Sequence, residues 1–147
     1  MRDYDDPEND AQWCAERREE VAAYLQREGV VHGHIGAAPA WHVAPYVSVW
    51  AVESLATADA VGWWAISGDL PNDYVSASHA KTPREAVGAI ALLWKEAAQY
   101  MSRGEPHPTF RIGSGLQDAE LAPMLESRAE TLLDWVKDPE VWEEGAA

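Results

Sequence analysis

The chain has 147 residues, 25 acidic against 11 basic, for a net charge of −14, and it is 47% hydrophobic with 24% charged residues. That size and balance describe one folded domain spanning 1–147 rather than a disordered chain. The negative field opposes phosphate backbones and anionic membranes, so neither nucleic acid nor membrane is expected as a partner.

No apolar run approaches the roughly 20 residues that cross a bilayer. The acidic start, Met1 to Asp6, is unlike a signal peptide, so a cytoplasmic protein is expected. With Cys14 as the single cysteine, an internal disulfide is impossible and so is a thiolate-rich zinc site.

Taken in chain order, Asp6-Pro7-Glu8 combines a capping residue, a proline whose missing N–H does no harm, and an acid that suits the helix dipole. The helix that follows places Trp13, Cys14, Val21, Tyr24 and Leu25 on one stripe and stops at Gly29. Residues 32–45 mix glycine, proline and the histidines His32, His34 and His42 without a clear period, which predicts an irregular approach to a sheet. Tyr46–Glu53 and Val61–Ser67 are β-branched and aromatic with apolar residues on both faces, as in central strands. Asp73–His79 alternates, Val75 and Ala77 against Ser76 and Ser78, and predicts a half-buried third strand.

Thr82-Pro83-Arg84-Glu85 is the strongest local signal: a cap, a proline at the first helical position, and the glutamate of a capping box. Val87, Ile90, Trp94, Ala97, Ala98 and Met101 form the buried stripe of this helix, and Gly104, Pro106 and Pro108 end it. After a link containing Gly113 and Gly115, a third helix runs from Ala119 or Pro123 to Lys137, carrying Leu125, Leu132, Leu133 and Val136. Asp138-Pro139 starts a last short turn around Trp142. The fold class is therefore α+β, a small antiparallel three-stranded meander packed on one face by the N-terminal helix and the two C-terminal helices.

The run from Trp63-Trp64 through Ser67-Gly68-Asp69-Leu70-Pro71-Asn72-Asp73-Tyr74 resembles the signature of a bacterial family, domain of unknown function 4826. The similarity extends through the capped helix to Trp94. It implies a relative and no activity.

Read from the residues, Ser67 to Asp73 is a hairpin loop in which Asp69 and Asp73 cap turn amides. Asp69 is its first candidate for a functional role. Adjacent Trp63 and Trp64 must face opposite sides of a strand. Eight tryptophans against one phenylalanine favour a binding surface, although most indoles serve the core.

The histidines, His79 included, lack a defined ligand pattern and read as ordinary solvated or hydrogen-bonded side chains rather than a metal site. No phosphate loop or nucleophile elbow occurs, so no catalytic residue, metal or cofactor is assigned. The leading expectation is a non-enzymatic protein-interaction domain with a binding or neutralising role. Its acidic, tryptophan-containing surface comprises Trp63, Trp64, Asp69, Asp73, Tyr74 and His79. The alternative is a small enzyme or small-molecule-binding domain with a tryptophan-lined pocket using Asp69 and His79. Pairing of an open sheet edge across a two-fold axis, giving a homodimer, is the third.

Overall fold

The computed structural model describes residues 3–57, 60–103, 105 and 118–142, with side chains described from 121 onward in the last segment. Three long helices and four strands follow in the order α1 (Pro7–Arg27), β1 (Trp41–Val43), β2 (Val47–Glu53), β3 (Val61–Gly68), β4 (Leu70–Ser76), α2 (Pro83–Ser102) and α3 (Asp118–Lys137). A 3-10 turn, Pro139–Trp142, completes them. The strands form one antiparallel sheet in the order β1-β2-β3-β4. Among the described residues no helix is long and apolar enough to cross a membrane.

The local signals act where they occur. Asp6 accepts a hydrogen bond from the Glu8 amide with Pro7 behind it, and Gly29 leaves α1 with φ 73°. Thr82 Oγ1 accepts from the Glu85 amide, while Glu85 Oε1 accepts from the Lys81 amide rather than from the cap itself. All six apolar residues expected to line α2 are buried. Asp138 Oδ1 accepts from the Glu140 amide at the last turn. Residues 104, 106, 108, 113 and 115, expected to end α2 and link it to α3, lie outside the described residues.

Three expectations need correction. The sheet has four strands, because Trp41-His42-Val43 pairs with Val47 to Val49. Just upstream, Ile35 bridges to Val52, so most of the supposedly irregular segment lies along the edge of β2. Nor are the helices on one face. Val47, Val49, Trp64 and Ile66 pack against α2 and α3, whereas Trp50, Val52 and Ala65 pack against Trp13, Val21 and Leu25 of α1. The apolar character of both faces of the two central strands is what this layering demands: each face has its own core.

The third expected strand is also displaced, from Asp73–His79 to Leu70–Ser76. Gly68 pairs directly with Leu70, which leaves Asp69 alone at the tip of the turn. Gly68 has φ 149°, and a Cβ there would fall on the Tyr46 carbonyl, so only glycine allows β3 to turn this close to the β1–β2 connection.

Candidate functional site

The six residues singled out in the sequence do not converge. Trp64 and Asp73 point to the α2 side, where the Trp64 indole donates to Ala80 O at 2.9 Å. Trp63 and Tyr74 lie on the α1 side, half-buried, with Tyr74 edge-on to Tyr24 at 6.1 Å. His79 is exposed in the turn after β4. Asp69 stands by itself at the β3–β4 tip. Six of the eight indoles are buried, and only Trp63 and Trp135 are partly exposed.

Asp73 belongs to the sheet rather than to a loop. Its two oxygens accept from the Trp94 indole at 2.7 Å and from the Tyr74 amide at 2.7 Å. Burial pushes its pKa up to about 6, against the lowering effect of those two donors, and Glu28 adds to the rise.

Asp69 does line a cavity, of about 250 Å³, with Tyr46, Leu70, Arg128, Thr131, Leu132 and Trp135. Each wall has a structural cause. The β1–β2 connection presents Tyr46, 53% exposed, and the tight Gly68 turn brings Asp69 and Leu70 beside it. Arg128, Thr131, Leu132 and Trp135, spaced i, i+3, i+4 and i+7, come from one face of α3. Trp41 fixes the Trp135 side. It stacks on Trp142 at 4.0 Å, meets Trp135 edge-on at 6.1 Å, and donates its indole N–H to Val141 O.

Arg128 Nε donates to the Asp69 carbonyl at 2.9 Å, and its Nη2 lies 3.5 Å from the Asp69 carboxylate. Thr131 Oγ1 donates to Ser127 O. The cavity therefore offers an apolar and aromatic wall with one cation at its rim, an arrangement suited to holding a ligand. Among the described residues that line it, no nucleophile is paired with a base. The signal for its α3 wall was present in the helical spacing of Leu132, but Arg128 and Trp135 were not read with it.

A polar seam runs along α1 on the opposite face. The Trp50 indole donates to Ser48 Oγ, Ser48 donates to Ser67 O, and Ser67 donates to Glu20 Oε1 at 2.6 Å; Glu20 in turn pairs with Arg17. Arg17 lies over the Trp13 ring, and Trp13 stacks on His42. His42 Nε2 is 3.0 and 3.1 Å from the two Asp10 oxygens, and Cys14 Sγ is 4.0 Å from Asp10 Oδ2. Burial and the Asp10 charge push the Cys14 thiol up to about 11, which suppresses thiolate nucleophilicity. The sequence reading grouped His42 with the other histidines. Asp10 and Cys14, at i and i+4 on one helix, were the missed signal.

Among curated proteins and among solved structures, none matches this chain. A family model, domain of unknown function 4826, matches residues 8–142, from the first turn of α1 to the last 3-10 turn. The likeness first visible between Trp63 and Trp94 thus extends over the whole arrangement of helices and sheet, and the chain belongs to the family of domain of unknown function 4826.

Proposed function

We propose that this domain binds a small molecule in the cavity between the β3–β4 turn, Tyr46 and α3. The supporting observation is the coincidence of aromatic walls, aliphatic Leu70 and Leu132, and the Arg128–Asp69 pair around one hollow. At about 250 Å³ it falls just below the roughly 300–1,000 Å³ of sites for drug-sized ligands, so the ligand is small. Tyr46 and Trp135, 6.1 Å apart and tilted by 59°, favour a planar apolar body.

Arg128 then takes an acceptor group, a carbonyl or carboxylate, in place of the Asp69 side chain. Asp69 is 71% exposed, so its carboxylate can swing into water. The net charge of −14 gives anions no long-range attraction, and affinity must come from contact within the cavity.

A thermal-shift screen of small aromatic carboxylates and amides, followed by titration of any hit, tests the reading. A ligand raises the melting temperature by mass action. Its affinity should fall at least tenfold in both Arg128→Gln and the cavity-filling Thr131→Trp. Binding unchanged by Thr131→Trp, or no stabilising compound at all, refutes it.

The exposure of Tyr46 beside Trp135 supports a second reading, in which the same hollow receives a side chain from a protein partner. In that case Tyr46→Ala abolishes complex formation while the small-molecule screen is silent.

A further inference from the structure

Three donors of different chemistry meet where α1 crosses β1. Asp10 and Cys14 are one helical turn apart and face the sheet, and His42 projects from β1 toward them. One oxygen, one sulfur and one nitrogen lie within 4.8 Å of one another, the one such group among the described residues. An Asp–His hydrogen bond accounts for two of these residues without the third. A buried thiol converging on the same carboxylate is not needed to satisfy either partner.

We propose that Asp10, Cys14 and His42 form a binding site for a zinc-class divalent ion, each supplying one donor atom, with a fourth position open to water.

The spacing suits the ion. With bonds of about 2.1 Å to nitrogen and oxygen and about 2.3 Å to sulfur, tetrahedral zinc places its donors roughly 3.4–3.6 Å apart. From the single oxygen Asp10 Oδ2, the separations here are 3.1 Å to His42 Nε2 and 4.0 Å to Cys14 Sγ. All three donors fall within 4.8 Å of one another, so an ion would draw the thiol and the imidazole together by up to about 1.2 Å, a side-chain movement rather than a backbone one.

The donors sit on regular elements, and the imidazole is held by Trp13, stacked at 6.3 Å and 26°, which is itself wedged by Tyr4 and Arg17. The side chains of His42 and Asp10 are about a third exposed, at 30% and 33%, so an ion has a path from solvent. Cys14, 9% exposed, closes the inner side. A soft thiolate and an imidazole select against calcium and magnesium, which take oxygen donors. Cys14 binds as the thiolate, releasing its proton to solvent.

Cobalt(II) titration of the full chain, kept reduced, provides the test. Wild-type protein should show a near-ultraviolet thiolate-to-cobalt charge-transfer band and the strong visible bands of four-coordinate cobalt. Both should saturate at one equivalent, and zinc should displace them. Cys14→Ser should remove the charge-transfer band, and His42→Gln and Asp10→Asn should each weaken cobalt binding at least tenfold. The double variant His32→Gln/His34→Gln should bind as wild type does. Far-ultraviolet circular dichroism establishes that each variant is folded, and Asp10→Asn keeps the shape of the side chain should Cys14→Ser fail that check. Absence of the band in wild-type protein overturns the proposal. So does an unchanged affinity in the folded His42 or Asp10 variant, or an equal loss in the double variant.

Discussion

The carboxyl of Asp73 should make the protein less stable as pH rises from about 4 to 6. Its pKa goes from an ordinary 3.8 to about 6 on folding because burial disfavours the charge more than the Trp94 indole and the Tyr74 amide favour it. A raised carboxyl pKa means that the folded state holds its proton longer than the unfolded state does. The Asp73 contribution to stability is therefore greatest below 3.8, falls as the unfolded carboxyl ionises, and levels off above about 6.

Each tenfold in proton affinity is about 1.4 kcal/mol, so the fall amounts to something on the order of 3 kcal/mol. Asp73→Asn provides the reference. Asparagine can accept from one of the two donors but turns its amide toward the other, a fixed cost that does not vary with pH. Urea unfolding of both proteins, followed by tryptophan fluorescence from pH 4 to 7, isolates the titration as the difference between them. Wild type should lose on the order of 2 kcal/mol relative to the variant over that range, less than the full difference because the unfolded carboxyl is already more than half ionised at pH 4. A flat difference, or a wild type that gains on the variant as pH rises, would show that the two N–H donors outweigh burial. Carboxyl titration by carbon NMR gives the same pKa independently.

Two further substitutions examine the packing on either side of the sheet. Ser48→Ala should destabilise by about 1–3 kcal/mol in urea denaturation, because it leaves the buried Trp50 indole and the Ser67 carbonyl without their shared partner. An effect below about 0.5 kcal/mol would mean that neither group depends on Ser48. Gly68→Ala should cost on the order of 2 kcal/mol or more, since the new Cβ meets the Tyr46 carbonyl at a backbone angle that L-residues avoid. Amide hydrogen exchange should show the loss concentrated at the β3–β4 turn and around Tyr46, and a uniform change across the sheet would contradict this account.

The elements that sequence revealed are those whose signals are local. Asp6-Pro7 and Thr82-Pro83 cap the helices they announce because capping involves atoms within three residues of the cap. The stripe of α2 was legible for the same reason, and so were the two central strands. What escaped was decided at a distance. Leu70 becomes a strand residue because Gly68 turns tightly against the Tyr46 carbonyl, and although the glycine is in the loop, its partner lies on another segment of the chain. Asp73 consequently exchanges a loop for a buried bond to Trp94, and Asp69 alone remains at the tip to meet Arg128, 59 residues away.

The alternation rule that sent Trp63 and Trp64 to opposite faces applies equally to Trp41 and His42, once those residues are known to be a strand. Glycines and prolines on both sides of them concealed it, and the short strand forms only because β2 supplies the partner. The consequence for function is geometric. In three residues of β1, Trp41 turns to one face and packs beside Trp135 at the cavity, while His42 turns to the other and meets Asp10 and Cys14 on α1. A sheet sealed on both faces leaves little room for a broad indole surface, so polar chemistry concentrates where the helices meet its edges and turns. The least legible strand in the sequence positions a side chain toward each of those places.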